Sequence, residues 1–395
     1  LPSLRQRPLS VLFFTIFLDL LGFGIVIPIL PIYADELGAS GWMIGLITGI
    51  FAFMQFLVAP FWGNLSDRIG RRPVLLTSIA IMSGSYLLFA GAVSIPLLLF
   101  SRILGGIGAA NISAANAFIS DMSTDANRAK NFGIVGAAFG LGFIFGPPLG
   151  GWLKDQYGIE WVGYTAALLG AANFLMAMVF LPESLREKDP HSPLFPNPFR
   201  ELRNILPRVE LRGFLLSNFI FLAAFSMMHV TSSLLWQDRF GLNEKEIGYV
   251  FAFIGISVAT VQGTLIGPFN RWIGERRLYL LGSLLMGLGL LAMPYVPVAL
   301  FVPLELVALL IIAVGNGFFT PTVSSLVAQR AASHERGKLM GLLQSVGSLS
   351  RVIGPLIGGA LYDLGPAKPY LMAAAMMFFT AGLAWQIVKR RLGGF

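Results

Sequence analysis

The sequence predicts an all-α polytopic membrane protein: twelve transmembrane helices in two pseudo-symmetric six-helix bundles. Three observations carry this. First, 55% of the 395 residues are hydrophobic and only 12% charged, with mean hydropathy +0.74. A water-soluble core stops growing beyond about 250–300 residues, so this much apolar surface calls for lipid as its solvent. Second, twelve apolar stretches reach the roughly 20 residues that a helix needs to cross the hydrocarbon. Third, the two halves repeat: Gly146-Pro147-Pro148-Leu149-Gly150-Gly151 recurs as Gly354-Pro355-Leu356-Ile357-Gly358-Gly359, 208 residues later.

The spans fall near 9–34, 42–65, 73–92, 95–121, 128–153, 161–181, 213–237, 244–271, 276–295, 300–328, 336–363 and 366–389. The first is longer than a signal-peptide core and serves as its own insertion signal. The one long polar stretch, 182–212, follows the sixth span and separates an N-terminal bundle (1–181) from a C-terminal bundle (213–395). Within it, residues 198–206 have the pattern of a short interfacial helix. Of the 28 Lys and Arg, only Lys154, Arg239, Lys245 and Lys368 fall in segments on one side, Arg102 and Arg351 lie inside spans, and the other 22 lie on the opposite side. The positive-inside rule then puts both termini in the cytoplasm and the chain in the inner membrane.

Composition also excludes. Without Cys there are no disulfides, thiol chemistry or cysteine-ligated metal. The net charge of +8 sits on one face of a membrane, so it does not point to nucleic acid. A membrane-embedded enzyme would need clustered catalytic groups, which three His and few membrane acids do not supply. A channel would need a charged ring or a filter sequence, and neither is present. No metal and no cofactor is expected. The expected partners are a small amphipathic substrate and the lipid bilayer, and the chain is expected to work as a monomer.

Between the second and third spans lies Gly63-Asn64-Leu65-Ser66-Asp67-Arg68-Ile69-Gly70-Arg71-Arg72-Pro73, a tight loop with one acid and three arginines. A worn copy, Gly267 to Gly274, joins spans eight and nine with Arg271 in place of the acid. The loop resembles the signature between helices 2 and 3 of the major facilitator superfamily. Leu18-Asp19 to Pro28 and Pro31 in the first span, Arg102 to Gly108 in the fourth, Gly136 to Gly151 in the fifth and Leu181-Pro182-Glu183-Ser184 after the sixth resemble its drug/proton antiporter branch, in particular the tetracycline-efflux-like proteins. The resemblance implies the major facilitator fold, with a site between two six-helix repeats at mid-membrane. It also implies an antiporter motif at Gly142, Gly146, Pro147, Gly150 and Gly151. The match departs at three positions: the acid, histidine and acid of tetracycline exporters correspond here to Ser85 in the first half and Val258 and Met286 in the second, so tetracycline itself is not the expected substrate.

Asp19 is the only acidic or basic side chain between Pro8 and Ala34. A charge at mid-bilayer costs about 2.5–3.5 kcal/mol on the insertion scale, so it must face the bundle interior or water. A carboxyl balanced between desolvation and a nearby cation can take up and release a proton as access alternates. Asp19 is therefore the expected proton carrier, the proton being the coupling ion. Arg102, roughly 10 Å below the outer end of its span at 1.5 Å per residue, is its expected partner, and the resemblance ties that arginine to proton transfer. Ala109, Ser113 and Asn116 share its face by 3.6 periodicity.

Gly63, Asp67, Arg68, Arg71, Arg72 and Asp121 form the expected conformational latch. Arg71 bridges Asp67 to Asp121, and Asp67 faces the start of the eleventh span near Gly337-Lys338, where unpaired N–H groups favour an anion. The expected substrate cavity takes Phe23, Ser113 and Asn116 from the first half and His229, Ser233, Trp236, Gln344 and Arg351 from the second. An arginine as deep as Arg351 needs an acid, a carbonyl dipole or an anionic ligand, and Glu305 is its candidate charge partner. The function expected is proton-coupled antiport exporting hydrophobic or amphipathic drug-like compounds by alternating access. The alternatives in the same fold are a lysolipid or lipid exporter and a proton-independent facilitator.

Overall fold

The computed structural model describes residues 8–123, 128–185, 187–190, 194, 209–330 and 336–392. The expected interfacial helix at 198–206 lies outside them. The described chain is helical throughout: α1 Pro8–Glu36, α2 Gly41–Ile69, α3 Arg71–Ala90, α4 Ile95–Asp121, α5 Arg128–Tyr157, α6 Ile159–Phe180, α7 Val209–Phe240, α8 Glu244–Ile273, α9 Glu275–Tyr295, α10 Val298–Gln329, α11 Arg336–Leu364 and α12 Lys368–Leu392. Nine of them are long and apolar enough to cross a membrane by composition, and α5, α11 and α12 have 30, 29 and 25 residues.

Packing repeats with a shift of six helices. In the first half α1 packs on α5 and α6, and α3 on α4 and α6. In the second half α7 packs on α11 and α12, and α9 on α10 and α12. The loops that turn α2 into α3 and α8 into α9 share a device as well. Gly70 (φ 114°) and Gly274 (φ 80°) take a left-handed conformation that a side chain would strain, so each chain reverses in one residue.

The chain forms two compact units. One comprises residues 1–38, 50–197 and 243–252, the other 39–49, 198–242 and 253–395. Each unit therefore contains the opening turns of a helix whose remainder belongs to the other.

Four helices are irregular, and each irregularity has a local cause or consequence. α1 breaks at 27–29, where Pro28 has no N–H to donate. α4 breaks at Ala110–Asn111, after Gly105, Gly106 and Gly108. Two α2 side chains accept the consequence: Gln55 Nε2 donates to the Ala109 carbonyl (2.9 Å) and Trp62 Nε1 to that of Ile107 (2.8 Å). α8 and α10 each contain a π turn, at Val261–Leu265 and Phe301–Glu305. Between α5 and α6 the exposed rings of Trp152, Tyr157, Trp161 and Tyr164 follow one another edge to face, as suits a membrane–water boundary.

Candidate functional site

Asp19 sits mid-way along α1, half-buried, and its company comes from three other helices. Asn173 of α6 donates Nδ2 to Asp19 Oδ1 (2.9 Å) and to the Thr15 carbonyl (3.0 Å). Asn111, at the break in α4, donates Nδ2 to Ser78 Oγ (2.8 Å) and reaches Asp19 Oδ2 at 3.5 Å, the limit of a hydrogen bond. The buried ring of Tyr86 (α3) lies over Gly22, where a Cβ would stand 3.2 Å from it.

Arg102 is buried at 3% exposure, but it does not pair with Asp19. Its guanidinium lies 5.1 Å from the centre of the Phe89 ring, and Nε donates to Ser101 Oγ (3.3 Å). The expected Asp19–Arg102 pair is thus not formed in this structure. Arg102 Nη2, the Tyr86 hydroxyl and Thr15 Oγ1 are buried without a hydrogen-bond partner, an arrangement able to pass a proton or admit water. Tyr86, Asn111 and Asn173 escape sequence reading because their convergence depends on the packing of α3, α4 and α6 around α1.

The same break corrects the expected stripe on α4. Ser113 does not continue the face of Arg102; its hydroxyl donates to the Ala59 carbonyl of α2 (3.0 Å). Asn116 is partly exposed, and Phe23 packs its ring against Phe51 and Phe143 with centroids 5.2 and 6.1 Å away.

At the other end of the first half, Arg71 does what the loop motif implied. It is 7% exposed, with Nη1 on Asp67 Oδ1 (2.5 Å) and Ser66 Oγ (2.7 Å) and Nε on Asp121 Oδ2 (3.1 Å). Ser184 Oγ also donates to Asp121 (3.0 Å). Glu183, quoted above only as part of a signature, caps α3: its carboxylate accepts the N–H groups of Arg71 (2.9 Å) and Arg72 (3.2 Å). Arg72 donates Nη2 to the Met178 carbonyl (2.6 Å), and Arg68 is half-buried. Gly63 faces Ser113, 3.4 Å from where its Cβ would be. The side chains of residues 331–338 lie outside the described residues, and with them the expected placement of Asp67 against Gly337-Lys338.

The glycine-proline motif of α5 has two working faces. Gly142, Gly146 and Gly150 lie so close to Leu20, Gly24 and Ile25 of α1 that any Cβ would overlap backbone or side chain. Pro147 and Gly151 instead receive the start of α8, with Gly248 against the Pro147 carbonyl and Gly151 against Glu244. The copy in α11 is used identically. Gly354 and Gly358 pack on Ala223 and Met227 of α7, while Pro355 and Gly359 receive Gly45 and Gly41 of α2.

The two seats are locked by different chemistry. At α11 the Asp363 carboxylate accepts the first N–H groups of α2, Gly41 (2.6 Å) and Trp42 (3.0 Å). At α5, Lys154 bridges Glu36 and Glu244, the latter at 2.9 Å, and α8 caps itself through Asn243 and Glu246.

Among the second-half candidates, Gln344 is exposed and His229 partly exposed, its ring 6.1 Å from Phe225. Ser233 and Trp236 are fully buried, which removes them from a solute-facing surface. Trp236 donates Nε1 to Glu305 Oε1 (2.8 Å), and Arg351 donates Nη2 to Ser348 Oγ of its own helix (3.3 Å). The expected Arg351–Glu305 pair is therefore not formed: the π turn points Glu305 into its own helix cluster, at 0% exposure.

The sequence profile described as the Major Facilitator Superfamily matches residues 12–299 and 240–392. Tetracycline resistance protein, class G, of Vibrio anguillarum is 32% identical over 88% of this chain and 88% of its own length. Multidrug resistance protein 2 of Bacillus subtilis is 29% identical over 94% of this chain and 93% of its own. The crystal structure of the human organic anion transporter MFSD10 (TETRAN) superposes with a TM-score of 0.72 at 28% identity, over 97% of this chain and 100% of that one.

Proposed function

The chain belongs to the major facilitator superfamily of secondary transporters, and from that premise we propose that it is a proton-coupled antiporter exporting hydrophobic or amphipathic compounds. The observation that carries the reading is the company of Asp19: a half-buried membrane carboxyl held by two amides, with no ion pair to it among the described residues, in a half where the Tyr86 hydroxyl and Arg102 Nη2 are buried without hydrogen-bond partners. Such a carboxyl can be neutral or charged without breaking an ion pair. The Phe23, Phe51 and Phe143 rings supply apolar surface for a substrate. Names of relatives support the class, drug and tetracycline resistance among them.

The asymmetry of Lys and Arg supports an orientation with both termini in the cytoplasm, and the proposed location is the inner membrane. For access to alternate, the seats at Gly45–Pro355 and Gly248–Pro147 must separate, since each joins helices of opposite sequence halves. Ethidium accumulation into inverted membrane vesicles tests the reading. Uptake should follow an imposed inward-acid pH difference and stop with an uncoupler; uptake indifferent to both would sink it.

Arg351 favours a second reading, an exporter of anionic amphiphiles such as lysolipids. Its guanidinium forms no ion pair among the described residues, and one relative is named an organic anion transporter. Arg351→Ala should then weaken fluorescein binding far more than ethidium binding, by about 1.5–3 kcal/mol for a hydrogen bond to a charged group. Equal weakening of both, with a lower melting temperature, assigns Arg351 to structure.

A further inference from the structure

We propose that Glu305 is a second proton-carrying carboxyl, housed in the C-terminal half and exchanged through the π turn that opens α10. The proposal rests on the antiport reading, but on different residues.

Glu305 is completely buried, so the ligand that fits it without rebuilding the site is a proton. One oxygen, Oε1, is held by the Trp236 indole at 2.8 Å. The other, Oε2, is buried with no hydrogen-bond partner, and the nearby Tyr370 hydroxyl is also buried without one. Leaving a charged oxygen so would cost far more than leaving a neutral one. Two groups on neighbouring helices bear on Glu305. Arg239 of α7 spends its guanidinium on the carbonyls of Pro294 and Val296 and lies 5.6 Å from the Phe240 ring, so it makes no ion pair with Glu305. Tyr370 of α12 is the other. A proton on Oε2 removes that cost, so the packing favours the neutral acid.

A route out is built into the backbone. Glu305 is the last residue of the π turn Phe301–Glu305, whose Val302 and Leu304 are exposed at 67% and 42%. Tightening a π turn to an α turn shifts the register by one residue, which rotates a side chain by roughly 100° about the axis. That rotation would turn Glu305 out of the core. It lies seven residues from Val298, the near end of α10, hence roughly 10 Å from interfacial water at 1.5 Å per residue. As the side chain reaches that water the O–H bond breaks, the proton goes to water, and the carboxylate is solvated.

Infrared difference spectra of the full chain in lipid, acid minus alkaline, test this without a ligand. Glu305→Gln keeps an acceptor for Trp236 but cannot titrate. It should remove one protonated-carboxyl band, distinct from the band removed by Asp19→Asn. An unchanged spectrum overturns the proposal. Should Glu305→Gln fail to fold, Trp236→Phe leaves the acid and strips its hydrogen bond; the same band must move, and a band that stays overturns the proposal equally. In vesicles with membrane potential clamped, the slope of log ethidium accumulation against the pH difference should fall by one in Glu305→Gln. An unchanged slope also refutes the role. Failure of the Asp19 reading looks different: coupling would survive Asp19→Asn while the Glu305 effects remained.

Discussion

The two halves share a scaffold and differ in what they keep inside it. Each packs its six helices in the same pairs, turns on a glycine at the same loop, and uses a glycine-proline motif as a seat for a helix of the other half. Yet the first half places a carboxyl among amides, with an arginine close by, while the second buries one under an indole. The first half ties its α2–α3 loop with a buried arginine; in the second, Glu275 accepts from Ser325 and Gln329 instead. Backbone contacts set by glycine and proline repeat because they depend on space alone. Polar chemistry does not repeat, because each ionisable group needs partners that several helices must supply together.

The hardest test of this contrast is Asp19→Asn. It should reduce proton-driven ethidium accumulation to background while leaving equilibrium binding intact. Full accumulation in the variant would make Asp19 a structural residue and erase the distinction between the halves.

The likeness of the two seats can be broken next. Gly45→Leu and Gly248→Leu both force a side chain into a proline-adjacent carbonyl, and overpacking of this kind costs about 1–3 kcal/mol. Both variants should lose transport and melt lower by similar amounts. A large effect in one alone would show that the seats repeat in form but not in load.

Their locks should then separate. Asp363→Asn weakens a carboxylate cap on two N–H groups, a loss of about 1 kcal/mol. Lys154→Gln should cost less, about 0–1 kcal/mol, because Glu36 is 45% exposed. Only the lysine's share should shrink in high salt, which melting curves at two ionic strengths would reveal.

The smallest effect is expected at Asp67→Asn. Asp67 is 37% exposed and Arg71 keeps Asp121 and Ser66, so the change is worth about 0–1 kcal/mol. Spin labels replacing the exposed Pro73 and Arg277, in a chain free of other cysteines, should report longer distances between the α2–α3 and α8–α9 turns. An unchanged distribution would confine Asp67 to local packing.

Much of the architecture was legible because lipid demands unbroken apolar runs. The expected span 73–92 is the helix Arg71–Ala90, and 9–34 is Pro8–Glu36. The Asp67–Arg71–Asp121 bridge was legible because its members sit in or beside one short loop motif. The Tyr86–Asn111–Asn173 surroundings of Asp19 were not, since three helices must meet before those residues become neighbours. Nor was the break in α4, where Gly105, Gly106 and Gly108 read as a smooth stripe although the helix stops at Ala109. Trp236 was misplaced for a related reason. Helical spacing sets it beside Ser233 and His229, but its indole turns toward an acid that the π turn of α10 delivers.

Those π turns also mark where the halves differ in length. Gly45 and Gly248, equivalent in their seats, are 203 positions apart, whereas Gly70 and Gly274 are 204 apart. The second half is one residue longer in between, and α8 accommodates it as the π turn at Val261–Leu265. By Asp121 and Gln329, the last residues of α4 and α10, the separation has grown to 208. α10 has 32 residues against 27 in α4, and it opens on its own π turn. Glu305 rides on that turn: the second half holds its buried acid on an irregular helix opening that α4 does not share.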